Sequence, residues 1–561
     1  MKKRLIVGLV LLFVSGLTFY KMLHPGFYPM HDDMQAMRLL QMHDCITDGQ
    51  IPCRWVPDMG YGYGYPQFNY YSPLPYYVME VFHLMGLSIL TSVKIGFILT
   101  VLMGIWGMYL LSSSLWGIHA GIISACFFAL LPYRAVDMWV RGAMGELWGL
   151  MLLPFVFLAI RKAVYKVKNS EVLLAVVTSL LFMSHNISVI IFLPFIILWT
   201  AYLLVQKYGF TAQTLNFKNI FKIIIGFLWG FLISAYFVLP AWFEKNLVQI
   251  NTLTGGYFDY RQHFASIAQI FTSTYWNYGS SQPGIYDEIF LGIGILHWTI
   301  ALTSLLVFIA LKRRKTIKTV LLLIVLAFVA SFMAHPKSSF IWNSLGIIKY
   351  LQFPWRYLLA AGFLFSLAAG SITAPIRRKR NKARLITVTV LVLAIFFNAS
   401  YFRPVEWLNI TDTDKFSGKE WLRQQTISIY DYLPVTVKSA PNEAAELEPM
   451  VISGEGQFSK IEKGSDWYRV TADVFSDDFL MQLPVYFFPN WTVEVNDVES
   501  DVFHDNELGL ITIQLDQGVN EVYAELNNTP VRKISNLITL FSILFVPYYL
   551  TMNKNTFKKK R

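Results

Sequence analysis

Long apolar runs alternate with short polar links from the start of the chain to residue 401, and then the pattern changes. By the criterion of ~20 mostly apolar residues per helical crossing, the runs predict about twelve membrane spans. They cover 4–23, 95–115, 118–133, 147–164, 171–185, 188–206, 222–240, 290–311, 318–334, 356–375, 385–401 and 531–550. The stretch 76–90 is also apolar, but it is short and carries Glu80, His83 and Met85, so it reads as an interfacial or re-entrant helix. Residues 33–47 read as an amphipathic helix on the membrane surface, with Met34, Met37, Leu40 and Met42 towards lipid.

Between 402 and 530 the apolar runs shorten and alternate, as in WYRVTADV, WTVEVNDV and LITIQLDQ. Turn signals separate them at Ser465-Asp466, Pro489-Asn490, Asn496-Asp497 and Gln517-Gly518. This is strand patterning and predicts a β-rich domain, sandwich-like, outside the membrane. The expected organisation is a transmembrane domain over 1–401 with outer loops 24–94 and 241–289. A β domain over 402–530 follows, then a last span with a basic tail over 531–561.

Charge fixes the direction of threading. With residues 1–4 in the cytoplasm, parity puts Arg161, Lys162, Lys166 and Lys168 there too. The same holds for Lys207, Lys218, Lys222, the run Lys312–Lys315, the cluster Arg377–Arg384 and the tail Lys558–Arg561. Every strong basic cluster falls on one side, as the positive-inside rule requires. Counting 76–90 as a span would invert all of them. The N-terminal run has the basic start of a signal peptide, but no small-x-small pattern precedes His24-Pro25, so it reads as a retained helix with cytoplasmic start. Both termini are then cytoplasmic and the β domain extracytoplasmic.

Composition agrees. Hydrophobic residues make up 55% and charged residues 15% of the chain, where a soluble domain carries about 25% charged. The formal net charge of +11 could suggest nucleic acid, but the basic residues cluster beside spans, so no nucleic-acid partner is expected. Cys45 and Cys53 fall close together in the first outer loop. Paired and free thiols both remain open there.

Four constellations could carry chemistry. His31-Asp32-Asp33 with Arg38 could supply a general base or hold a divalent cation against a phosphate. The same residues would serve as a helix N-cap and solvated first turn. The link from Pro132 to Glu146 holds Arg134, Asp137, Arg141 and Glu146; ionisable groups at membrane depth suggest function, and ordinary ion pairs tying a hairpin are the alternative. In Gln352-Phe353-Pro354-Trp355-Arg356, the guanidinium could grip a lipid phosphate or snorkel beside a belt tryptophan. In the glycine- and tyrosine-rich run 60–71, Tyr63 and Tyr65 could stack on sugar rings or belong to an interfacial aromatic belt. His185-Asn186, Asp259-Tyr260-Arg261 and Tyr286-Asp287-Glu288 read as structural. Hydrolase elbows, zinc motifs and dinucleotide fingerprints do not occur.

Taken together, His31-Asp32, Gly49-Gln50-Ile51-Pro52 with Arg54-Trp55, the Gly-Tyr-Gly-Tyr-Pro run, Tyr71-Ser72-Pro73-Leu74, Pro132-Tyr133-Arg134, Arg141-Gly142 with Glu146, and Phe353-Pro354-Trp355-Arg356 form a pattern. It resembles the bacterial membrane family labelled "6-pyruvoyl-tetrahydropterin synthase-related", a branch of the GT-C superfamily of membrane glycosyltransferases. Over about residues 1–400 the resemblance implies a GT-C-like fold. It extends weakly into the β domain at Leu483-Pro484-Val485-Tyr486 and Pro489-Asn490-Trp491. It also implies an inverting glycosyltransferase that takes sugar from a polyprenyl-phosphate carrier at the outer face of the plasma membrane and passes it to an envelope glycan, lipid or protein. Asp32 or Asp33 would be the catalytic carboxylate of the first outer loop, with Asp137 or Glu146 as the second acidic position. Arg38, Arg134, Arg141 and Arg356 would serve the carrier phosphate. No Asp-x-Asp stands in the second loop, so a divalent cation (Mg2+ or Mn2+) on Asp32, Asp137 or Glu146 is left open. The competing classes are a flippase for lipid-linked glycan, which would place polar sites near the midplane, and a non-catalytic glycan-binding envelope protein.

Overall fold

A computed structural model describes residues 2–211, 214, 216–283 and 287–558. Tyr286 and the end of the basic tail, 559–561, lie outside these residues. The molecule is a mostly helical, polytopic membrane protein with a C-terminal β domain. Among the described residues, eight helices are long and apolar enough to cross a bilayer: Arg4–Leu23, Ile89–Trp116, Met144–Val164, Asn186–Tyr208, Thr316–Met333, Pro354–Ile376, Arg380–Tyr401 and Pro530–Met552. Two bent pairs, Ile118–Ala129 with Pro132–Arg141 and Ile220–Ile233 with Ala235–Phe243, pass together. Two shorter apolar helices are Ser170–Ser184 and Ile295–Ala310. Taken in order, these twelve helical stretches stand where the hydropathy pattern puts twelve spans. The first bend, of 40°, falls at Pro132, whose ring cannot continue the preceding helix.

The stretch 76–90 holds a helix of 11 residues, Leu74–Leu84. At 1.5 Å per residue it is about 16 Å long, roughly half a hydrocarbon core, so it does not cross. Helix Gln35–Thr47 forms as expected, but its methionines do not meet lipid. Met34, Met37 and Met42 are fully buried, and Leu40 is partly so. The helix packs against Leu74–Leu84 and Ile89–Trp116. An apolar helix face signals burial without saying whether lipid or protein does the burying.

Eight strands follow: β1 Met450–Ser453, β2 Gly456–Lys463, β3 Trp467–Val474, β4 Leu480–Tyr486, β5 Trp491–Val495, β6 Val498–Ser500, β7 Leu510–Gln514 and β8 Gly518–Leu526. They form two antiparallel sheets, β1-β4-β7 and β2-β3-β8-β5-β6. Alternate residues point inward, among them Tyr468, Val470 and Ala472 of β3, and Met481 and Leu483 of β4. The β5–β6 hairpin turns at Asn496-Asp497, both with positive φ, as its twist requires. Residues 402–449 hold no strand. They carry the short helices Asp412–Lys415 and Gly418–Thr426 and extended chain.

The first long loop, 24–88, fastens the sandwich to the bundle. Trp55 and Tyr70 join the sandwich core. Lys463 Nζ donates to Gly62 O at 2.6 Å, and Asp48 Oδ2 accepts from Ser465 N at 2.7 Å. Cys45 and Cys53 form a disulfide at the start of this contact. Buried Glu244 then clasps the last span. It accepts from Thr529 Oγ1 at 2.6 Å, Asn69 Nδ2 at 2.8 Å and Arg532 Nε at 3.0 Å. Removing one partner of such a pair leaves a buried charge, a loss of about 3–5 kcal/mol. Glu244→Ala should therefore lower the melting midpoint of the solubilised chain by many degrees and expose the 527–532 link to protease. An unchanged melt would mean that the network does not hold the domain.

Candidate active site

The end of the bundle that carries the β domain encloses a cavity of about 680 Å3. Three segments far apart in sequence line it: His31–Arg38, Arg141–Glu146 and the run ending at Arg356. The local backbone explains how they meet. Pro132–Val136 is helical, Asp137–Arg141 forms a π turn, and Gly142 ends it with φ 66°. A Cβ on Gly142 would sit 2.1 Å from Met30 Sδ, so only glycine lets the first loop approach this closely. The two segments then pair through their backbones. His31 N donates to Val140 O at 2.9 Å, and Asp32 N to Arg141 O at 2.8 Å.

Asp32 sits on one wall. Its carboxylate accepts from Gln35 Nε2 at 2.8 Å and Arg38 Nη1 at 3.2 Å. Tyr76 Oη fixes the Gln35 amide with a donated bond of 2.6 Å, and the same amide reaches Gly142 O at 2.9 Å. The Asp32 side chain stays 35% exposed while Arg38 is 3% exposed. The carboxylate is thus held in place yet open to the cavity. The Arg38 guanidinium lies 3.9 Å from the centre of the Tyr71 ring. His31, whose Nε2 meets Tyr278 O at 2.8 Å, is shifted below its usual pKa by desolvation and by the nearby Arg141.

The facing wall is a buried carboxylate between two guanidinium groups. Glu146 accepts two bonds from Arg141, at 2.7 and 2.8 Å, and one from Arg356 Nε at 2.6 Å. It stands in the first turn of Met144–Val164, where the helix dipole favours an anion. Arg356 Nη1 also donates to Leu351 O and Gln352 Oε1. Arg141 stacks on Trp355 at 4.6 Å and Arg356 on Phe353 at 4.9 Å. These arginine planes are pre-set by aromatic faces, the arrangement that suits bidentate oxyanion contact. At the mouth, Trp242, Ile347 and Tyr350 are exposed, so a polar floor opens through an apolar rim.

Five of the residues singled out from sequence do not line the cavity. Asp33 turns away from Asp32 and pairs with Lys415, at 2.7 Å, and with Arg423. Arg134 is buried in the bundle, 4.3 Å from the centre of the Phe128 ring and beside Gly104, its Nη1 reaching Thr100 O at 3.4 Å. Asp137 lies behind Arg141, which it meets at 2.5 Å. Tyr63 packs on Tyr486, with ring centres 5.3 Å apart. Tyr65 is buried with its hydroxyl on the backbone of 428–432. Neither tyrosine presents a face to the cavity.

The residues present do not fit a cation. Among the described residues, no three His, Cys, Asp or Glu come together as metal ligands. Of the expected three, Asp137 is off the wall and both oxygens of Glu146 are engaged by guanidinium. The cavity also recruits residues that no local pattern singles out. His185 and Asn186, read above as structural, line it, as do Lys245, Ser428 and Asp431.

No family model matches the chain. A protein of Lactococcus lactis subsp. cremoris (strain MG1363), described as uncharacterized, is 23% identical over 243 residues, 41% of this chain and 38% of that protein. Among solved structures, the chain is similar to the arabinofuranosyltransferase AftD from Mycobacteria, with 14% identity and a TM-score of 0.37 over 72% of this chain and 27% of that one. It is also similar to the Archaeoglobus fulgidus oligosaccharyltransferase solved with Zn and sulfate, with 13% identity and a TM-score of 0.41 over 78% of this chain and 58% of that one. The chain spans less than two thirds of the length of each.

Proposed function

We propose that this chain is an inverting, GT-C-type membrane glycosyltransferase. It moves a sugar from a polyprenyl-phosphate carrier to a hydroxyl of a cell-envelope acceptor on the outer face of the plasma membrane. The observation that supports this most is one cavity with a fixed, solvent-open carboxylate on one wall and aromatic-stacked arginines on the other, behind an apolar rim. The carrier phosphate lies against Arg141 and Arg356, with its prenyl chain leaving past Trp242, Ile347 and Tyr350. Asp32 takes the proton of the acceptor hydroxyl. The acceptor oxygen bonds to the anomeric carbon from the face opposite the phosphate. The bond from that carbon to the phosphate oxygen breaks, and its electron pair leaves on the phosphate, where guanidinium groups stabilise the charge. Phosphate is a good leaving group, so no protein acid need protonate it.

The outer placement rests on charge. Threaded from a cytoplasmic start, the order of spans puts every strong basic cluster on the side opposite the β domain, and positive clusters stay cytoplasmic. A flippase would need a polar path across the bundle, and the helices behind the cavity are apolar through their middles. The test is to incubate the full chain in nanodiscs with labelled polyprenyl-phosphate sugars and envelope extract. Label should pass to the acceptor with its anomeric configuration inverted. Movement of label between leaflets with no transfer would overturn the enzyme reading in favour of a flippase.

A further inference from the structure

The turn Ser428–Tyr432 plays no part in the reading above, yet the first loop builds it into the cavity wall. It follows helix Gly418–Thr426, and Ser428 has φ 56°, a conformation that costs a non-glycine residue energy unless its surroundings impose it. They do. Tyr65 Oη donates to Ser428 O at 2.8 Å and accepts from Tyr432 N at 2.6 Å. The Tyr432 ring stacks on Tyr70 at 5.5 Å. Asp431 N closes the turn onto Ser428 O at 3.0 Å.

The clamp leaves Ser428, Asp431 and Tyr432 lining the cavity, with the Ser428 side chain hydrogen-bonded to the Asp431 carboxylate. The charged and titratable groups that face Asp431 are Arg38 and Asp32 of the first loop, with Tyr65 and Tyr432 beside it. Arg38 is already committed to Asp32 at 3.2 Å. Among the described residues, no cation lies within ion-pair distance of the Asp431 carboxylate. A carboxylate in a cavity wall, held by the Ser428 side chain but in ion-pair contact with no protein cation, is costly and is of the kind found at binding sites. Burial pushes it up to about 6, so it is ionised at neutral pH and protonated just below.

We propose that Ser428 and Asp431 form the acceptor subsite, a two-point clamp that binds neighbouring hydroxyls of a sugar-bearing acceptor and turns one of them towards Asp32. An ionised carboxylate can accept from two vicinal hydroxyls at once, and the serine hydroxyl adds a third contact. The acceptor class this fits is a polyhydroxylated glycan end rather than an amide or a lone lipid alcohol. The inference rests on the glycosyltransferase reading, with the donor phosphate on the opposite wall.

The experiment is saturation-transfer NMR on the full chain in nanodiscs with a panel of methyl hexopyranosides and pentofuranosides. At least one glycoside should bind the unaltered chain, and binding should weaken about 10–100-fold in Asp431→Asn, the effect of losing a charged hydrogen bond. Ser428→Ala should show a smaller loss. Binding to the unaltered chain should also fall as pH drops through about 6, while the Asp431→Asn variant stays flat. A melting midpoint equal to that of the unaltered chain shows that each variant is folded. Equal binding by both chains, or no binding to any glycoside, overturns the subsite. Glycoside binding that depends on Asp431 in a chain that transfers no sugar from any donor keeps the subsite and sinks the transfer reading instead.

Discussion

Asp32→Asn is expected to stop sugar transfer, lowering turnover by about 10²–10⁴-fold, the range for losing a general base, while the chain still folds. The substitution keeps the shape and removes the proton acceptor. An asparagine can still accept from Gln35 Nε2, which Tyr76 and Gly142 hold from the other side. The lost pair leaves the buried Arg38 guanidinium with its stack on Tyr71 and a neutral asparagine, so the melting midpoint should fall, though less than for a fully buried pair because the Asp32 end is 35% exposed. Donor affinity should stay within a few-fold, because the proposed phosphate contacts lie across the cavity on Arg141 and Arg356. Asp33→Asn is the internal control. Asp33 faces Lys415 and Arg423 rather than the cavity, so this variant should retain transfer. Kinetics of both variants beside their melting curves separate the two carboxylates. Loss in Asp33→Asn with full activity in Asp32→Asn would reverse their roles.

The second large effect falls on stability. Glu146 is buried and accepts three hydrogen bonds from two guanidinium groups. Glu146→Ala leaves Arg356 with only Leu351 O and Gln352 Oε1, and Arg141 with only Asp137. Two cations of like sign then face each other in a poorly solvated wall. Breaking one buried pair costs about 3–5 kcal/mol, so folded yield should collapse. The double variant Glu146→Met with Arg356→Met replaces charge by apolar volume and should recover much of the melting midpoint, since buried pairs are often replaceable by packing. It should still transfer no sugar, because the proposed phosphate contact is gone. A double variant no more stable than Glu146→Ala would show that the wall is held by something other than this pairing.

Helix-length apolar runs and alternating strands were legible in the sequence because burial imposes its period on the chain wherever it occurs. The twelve stretches and the β3 segment Trp467–Val474 fall where the pattern puts them. Direction around an element was not legible. Asp32 and Asp33 are adjacent, yet one lines the cavity and the other reaches the helix Gly418–Thr426. The difference comes from the pairing of residues 31 and 32 with 140 and 141, which no local pattern encodes. Arg134 and Arg141 belong to one dense cluster of charge, but the π turn between them sends the first into the bundle and the second to the cavity. Tyr65 stands in a run that suggested sugar stacking, and its hydroxyl instead clamps the turn that carries Asp431. Asp431 itself, between two tyrosines, looks like the other acid–aromatic pairs of the loops, and only the long-range clamp distinguishes it. The methionines of Gln35–Thr47 illustrate the same limit, since their apolar face fits lipid and protein equally well until the neighbouring helix is placed.

The central claim is that a carboxylate and an arginine wall act on one donor in one cavity. A single-turnover measurement addresses it most directly. The chain in nanodiscs is loaded with one equivalent of labelled polyprenyl-phosphate sugar, acceptor is added, and both bound donor and released carrier phosphate are followed. The unaltered chain should release carrier as sugar appears on acceptor, and Asp32→Asn should hold the donor intact. Equal carrier release by both chains, or failure of either to hold the donor at all, would contradict the account.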